Sequence, residues 1–172
     1  LVCALGSTPA EIIAGFQSDR TTFVRPDFDD AVVTAPVRDF DLRDFTGPCK
    51  ERRYLNRGAR FSVAAAVSAR QASGLTAEEA ARAGLFVGAG PNLDMGGEFQ
   101  RIDQGVIDEE DLMALWMLRF LPNTAASTIA LLTGVHGENL TIATACTATL
   151  QAIGEAFRRI RDGHLDLAFA GG

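Results

Sequence analysis

The stretch Gly137-Glu-Asn-Leu-Thr-Ile-Ala-Thr-Ala-Cys146-Thr-Ala-Thr-Leu-Gln-Ala-Ile-Gly154 decides the fold of this chain. Residues 140–143 have the apolar, β-branched character of a strand, and residues 147–162 carry a helical period. A strand therefore runs directly into Cys146, and the cysteine opens a helix. Leu150, Ile153, Phe157 and Ile160 share one side of that helix and are expected to be its buried seam. Glu155 and Arg159 form an i,i+4 pair on the polar side, worth roughly 0.3–0.5 kcal/mol. Arg158, Arg159 and Arg161 crowd the C-terminal end, where the helix dipole favours cations. Gly163 suits the position just past the last turn.

This junction has chemical consequences. Amides at a helix N-terminus lack intrahelical acceptors and stabilise an anion, so a cysteine placed there is favoured as the thiolate. The thiolate is the form that attacks a thioester carbonyl, and the same amides can hold the oxyanion that follows. Thr144, Ala145, Thr147 and Ala148 are small and leave an acyl chain room to approach. Spacing alone supports an inert, buried cysteine equally well.

Outward from this stretch, residues 84–90 (GLFVGAG) read as a strand buried on both faces, and residues 167–170 as a last buried strand. Helices are expected at 9–17, 52–73, 76–83, 109–120 and 124–133. The first has Thr8 as N-cap, Pro9 in its first turn and Glu11 near the positive end of the dipole, and should bury Ile12, Ile13 and Phe16. The second carries Leu55, Ala59, Val63 and Ala66 at helical spacing and stops at Gly74; Pro122 ends the helix before it. Residues 1–6 read as the tail of a strand, and 32–34 as a short strand within an irregular segment, 18–48. Strands alternating with helices give an α/β class with a mainly parallel sheet.

The 172 residues suit one domain, and with 47% apolar residues the core can be sizeable. A net charge of −6 does not mark a nucleic-acid binder. Two uncharged stretches, 120–137 and 139–154, contain Asn, Thr and Gly, and read as buried segments of a soluble protein, not as a bilayer helix. No signal peptide is evident, and a reducing cytoplasm is the default. Cys3, Cys49 and Cys146 form neither a disulfide framework nor a zinc spacing. Gly88-Ala-Gly90 lacks a phosphate-loop pattern and reads as a strand end that lets backbones pack closely. The acidic run 108–111 opens a helix and needs no metal. No cofactor and no metal are expected. The chain begins at Leu1 and ends on Ala170-Gly171-Gly172, and both ends read as cut, as in a fragment or a split subunit. Lys50, Arg52, Arg53, Arg57 and Arg60 fall within eleven residues of an otherwise acidic chain. They read as a solvated helix face or as a docking surface for an acidic partner; no aromatic interleaving points to nucleic acid.

The segment from Asn139 to Cys146, followed by Ala152-Ile-Gly-Glu-Ala and then by Ile160-Arg-Asp-Gly-His-Leu-Asp-Leu-Ala-Phe-Ala-Gly-Gly172, resembles the active-site region of elongating β-ketoacyl-acyl-carrier-protein synthases. Leu121-Pro-Asn-Thr-Ala-Ala126, Gly134-Val-His-Gly-Glu-Asn139, Lys50-Glu-Arg-Arg-Tyr-Leu-Asn-Arg57, the strand 86–90 and Gly6-Ser-Thr-Pro-Ala-Glu11 extend the similarity over nearly the whole chain. The resemblance implies a thiolase-like fold, with residues 1–172 as the N-terminal domain, the first half of a duplicated αβαβα architecture. It implies that Cys146 takes an acyl group from a carrier-protein or CoA thioester. Decarboxylation of malonyl-carrier protein, supported by two histidines of the second half, would then give a β-ketoacyl thioester for fatty-acid or polyketide synthesis. His136 and His164 do not match those histidines, and each reads as a surface or loop residue. The resemblance also implies that Lys50, Arg53 and Arg57 receive acyl carrier protein, that the C-terminal half is a partner, and that the complete protein is a homodimer; neither membrane nor nucleic acid is an expected partner. Thr147-Ala-Thr-Leu-Gln151 departs from the small residues and Gly usual after the cysteine, so the chain-length preference is open. Two other readings are a non-catalytic partner half that binds carrier protein, and a cysteine hydrolase, which would need a histidine and an acid near Cys146.

Overall fold

A computed structural model describes residues 1–19, 21–27, 29–90 and 114–172. At its centre lies β1 (Gly84–Gly88), every residue of which is buried. It pairs in parallel with β2 (Asn139–Ile142) on one side and with β3 (Ala168–Gly171) on the other, giving the order β2-β1-β3. Phe86 stands opposite Leu140 and Ala170, and Val87 opposite Thr141 and Gly171. A strand buried on both faces needs apolar residues pointing both ways, as the unbroken run GLFVG supplies.

Alternation along β1 sorts the core into two layers. Leu85 and Val87 pack with Val63, Ala64 and Val67 of α3 (Arg57–Ala72) and with Ala126 and Ile129 of α5 (Thr124–Thr133). Phe86 points to the opposite face, against Ala152 and Ala156 of α6 (Ala148–Arg161). Thr128 and Thr133 are buried polar residues of α5, and each donates its hydroxyl to a carbonyl four residues back, so neither group is left unpaired.

Local signals hold where caps are concerned. α1 spans Pro9–Gln17, with a reciprocal capping box between Thr8 and Glu11. α4 spans Ala77–Arg82 with the same device between Thr76 and Glu79. The expected helix 52–73 is divided. Lys50–Tyr54 is a 3-10 turn, and the buried Asn56 starts α3 by accepting from the Ala59 N–H at 2.8 Å. A four-residue helix, α2 (Arg43–Thr46), lies in the segment expected to be irregular. Residues 109–113 of the expected helix 109–120, and the acidic run 108–111, lie outside the described residues; Trp116–Arg119 is a 3-10 turn.

Three expectations are corrected. Residues 1–6 form a tight turn, in which Cys3 and Gly6 exchange backbone hydrogen bonds, and not a sheet strand. Of 32–34 only Thr34 pairs, as a single bridge to Val24. Buried seams of large side chains are absent from both α1 and α6: Phe16 is 78% exposed, and in α6 Leu150 is 73% and Phe157 62% exposed, with Ile153 and Ile160 exposed as well. The face that α6 buries is Ala148, Ala152 and Ala156. Phe86 already fills the space beneath the helix, so only methyl-sized residues let α6 sit down on the sheet.

Candidate functional site

Cys146 stands where β2 hands over to α6. The ladder with β1 runs up to the junction, since the Ala89 N–H donates to Ile142 O at 2.8 Å. Beyond it the chain turns sharply. Ala145 adopts φ +52, the left-handed region that an alanine enters only at a cost of about 1–2 kcal/mol. A 3-10 turn, Ala145–Thr147, leads into α6 and places Cys146 at the head of the helix with its thiol group exposed. The Thr147 N–H donates to Thr144 O and the Ala148 N–H to Ala145 O. Among the described residues no acceptor takes the Cys146 N–H.

Side chains tie the turn together. Thr144 Oγ1 lies 2.9 Å from Gln151 Oε1, Gln151 Nε2 lies 3.2 Å from Thr147 Oγ1, and Thr147 Oγ1 reaches Thr144 O at 3.0 Å. The junction is also seated on the sheet by Gly88. A Cβ there would lie 2.6 Å from Thr149 N and 2.7 Å from Ala148 C, closer than real contacts allow. The clash is with backbone, which cannot swing aside. Gly88→Ala is therefore expected to destabilise the fold by about 2–3 kcal/mol and to displace the head of α6. Denaturant unfolding checks the first effect and Cys146 alkylation rates the second; an unchanged midpoint would show that the helix shifts freely.

Neither histidine reaches the thiol. His136 is exposed and precedes β2, at the end of that strand opposite Cys146. His164 follows α6, whose 14 residues separate it from Cys146 by roughly 20 Å at 1.5 Å per residue. The hydrolase reading thus has no base beside the nucleophile in the described residues. A cleft of about 740 Å³ opens on the α3–α5 side; Thr149 lines it and Cys146 does not. Among the described residues no group of His, Cys, Asp or Glu could hold a metal, and no helix is long and apolar enough to cross a membrane.

Lys50, Arg53 and Arg57 are all exposed, at the 3-10 turn before α3 and at its first residue. They share the α3 side of the sheet, whereas α6 packs on the other, so the structure groups them together but not with Cys146. Arg57 also donates to Val37 O at 2.6 Å and lies over the Phe61 ring. Next to them, Asp41 accepts from Arg43 at 2.5 Å and lies 3.9 Å from Arg52. The Arg43 hydrogen bonds hold the Asp41 carboxyl down at about 2. A depressed pKa adds stability above the ordinary Asp range and loses it as pH falls through the folded value. Asp41 NMR titration should show a midpoint near pH 2, with the Asp41–Arg43 pair loosening between about pH 4 and about pH 2; a midpoint near 4 would deny that pair.

The sequence model described as Beta-ketoacyl synthase, N-terminal domain, matches residues 11–172. The chain belongs to the β-ketoacyl synthase family. Among relatives, 3-oxoacyl-[acyl-carrier-protein] synthase 2 of Vibrio harveyi is 31% identical over 141 residues, 79% of this chain and 33% of that protein. The actinorhodin polyketide putative beta-ketoacyl synthase 1 of Streptomyces coelicolor is 31% identical over 148 residues, 80% of this chain and 31% of that protein. The chain thus spans about a third of the length of these synthases. In structure it resembles the ishigamide ketosynthase/chain length factor, with a TM-score of 0.80 and 23% identity over 99% of this chain and 44% of that one. The thiolase-like α/β fold that the resemblance implied is therefore the fold of this chain.

Sequence reasoning placed Cys146 at a strand-to-helix junction but missed what holds the turn. The signal for Gly88 was present in the Gly-rich strand end; nothing in the sequence marked Ala145 or the Thr144–Gln151–Thr147 ties.

Proposed function

We propose that residues 1–172 are the N-terminal, nucleophile-bearing half of a condensing acyltransferase. The observation that carries this reading is the exposed thiol of Cys146 at a helix head, with its own N–H open to an oxyanion. The Cys146 thiolate attacks the carbonyl of an acyl thioester and the carrier thiolate leaves. Malonyl-carrier protein then loses CO₂, its α-carbon attacks the acyl-enzyme carbonyl, and Cys146 leaves as thiolate with a β-ketoacyl thioester formed. The base and the remaining donors come from the C-terminal half, because the described residues offer none near the thiol. The exposed Lys50, Arg53 and Arg57 receive an acidic carrier protein. β2 is an outer strand of the described sheet with Leu140 exposed, which suits pairing with a second copy in a homodimer. Free cysteines at 3, 49 and 146 suit a reducing cytoplasm.

The test joins this chain to its second half and supplies an acyl thioester and malonyl-carrier protein. An acyl adduct on the Cys146 peptide, consumed when malonyl-carrier protein is added, is the expected result. Carrier-protein binding without any adduct would replace the catalytic reading by that of a non-catalytic partner half.

A further inference from the structure

We propose that Gln151 is a positioning residue for Cys146, an inference that rests on Cys146 being the nucleophile. One turn into α6, its carboxamide reaches back and bridges the hydroxyls on both sides of the cysteine: Thr144, two residues before it, at 2.9 Å, and Thr147, one residue after it, at 3.2 Å. The protons close consistently. Thr144 donates to Oε1, Nε2 donates to Thr147, and Thr147 passes its own proton to Thr144 O at 3.0 Å. With the amide turned over, Nε2 donates to Thr144 and Thr147 donates to Oε1, so the bridge survives either assignment.

The backbone inside this bridge needs holding. Ala145 sits at φ +52 between the tied threonines, a conformation an untied alanine leaves readily. All three tied residues are solvent-exposed, so their hydrogen bonds add little to global stability. Their effect is local: they fix the 144–147 turn and with it the direction of the Cys146 sulfur and N–H. An acyl-transfer site depends on that direction, because the attacking atom and the oxyanion donor must meet one carbonyl together.

The test uses the complete synthase and single-turnover acylation by an octanoyl N-acetylcysteamine thioester, with iodoacetamide as a small thiol probe. Gln151→Ala is expected to lower the maximal acylation rate about tenfold. The half-saturating thioester concentration should stay within about twofold and the unfolding midpoint unchanged. Combining Gln151→Ala with Thr144→Val should add little beyond the stronger single variant, since both cut one bridge. Gln151→Glu keeps acceptors for both hydroxyls and should recover most of the rate, while its charge moves the pH midpoint of iodoacetamide reaction upward. Wild-type acylation by Gln151→Ala, or a loss confined to half-saturation or to stability, overturns the proposal. Cys146→Ala separates the two claims: if it still accepts the acyl group the nucleophile reading falls, and if it is inert while Gln151→Ala is unimpaired only the positioning role falls.

Discussion

Cys146→Ala should take up acyl groups at least about 10³-fold more slowly than the wild-type protein. The substitution removes the cysteine sulfur at the head of α6 and should hardly alter the fold, because the side chain is exposed and joins no core cluster. Unfolding midpoints should agree within about 0.5 kcal/mol, which separates lost chemistry from lost structure. The remaining thiols serve as internal controls. Cys49 is half-buried, and its pKa is pushed up chiefly by that burial, with the nearby Glu51 carboxylate at 3.4 Å acting in the same direction. It therefore stays protonated at neutral pH and reacts slowly. Peptide mapping after limited acylation should place the adduct on Cys146, and Cys49→Ala should leave the yield unchanged. Cys146→Ser keeps the shape but offers a hydroxyl, a far weaker nucleophile that stays protonated at neutral pH, so it too should be nearly inert. An adduct that persists in Cys146→Ala, or maps to Cys49, would end the case for an acyl-enzyme at this turn.

How far the sequence could be read depended on the range of the forces involved. Caps are local, and Thr8 with Glu11, Thr76 with Glu79, and the run 84–88 were legible because the residues that decide them are neighbours in sequence. The junction at Cys146 was legible for the same reason. Where a decision depended on distant packing, local pattern misled. The helix period of α6 is plain, but which of its faces turns inward depends on Phe86, more than fifty residues away, and Phe86 selects alanines. Periodicity tells that two faces differ; it does not tell that the larger side chains must be the buried ones. The break at Asn56 shows the reverse case. The residues before and after it both have helical composition, yet a side-chain cap starts the helix anew and sends Lys50–Tyr54 off as a separate turn. The Gln151 bridge was illegible because it requires Ala145 in a left-handed conformation, which no alanine advertises.

The exposed face of α6 gives the second large expected effect. Leu150, Ile153, Phe157 and Ile160 form one exposed stripe along α6, away from the alanines it buries against the sheet. Arg161 lies 5.8 Å from the Phe157 ring and partly covers it. Completing the burial of four such side chains is worth about 4–5 kcal/mol, large against the net stability of a domain. The chain also spans about a third of the synthases it matches, so the second half is the occupant we propose. Phe157→Asp should then weaken association of separately expressed halves by at least about 100-fold, since a carboxylate must be desolvated where a ring was buried. Phe157→Leu should cost much less, and Glu155→Gln, on the neighbouring surface, less still. Because Phe157 is already exposed, Phe157→Asp should leave the isolated first half no less stable and more soluble. Co-purification of tagged halves and calorimetric titration both read this effect. Undiminished pairing by Phe157→Asp would show that the stripe faces something other than the second half.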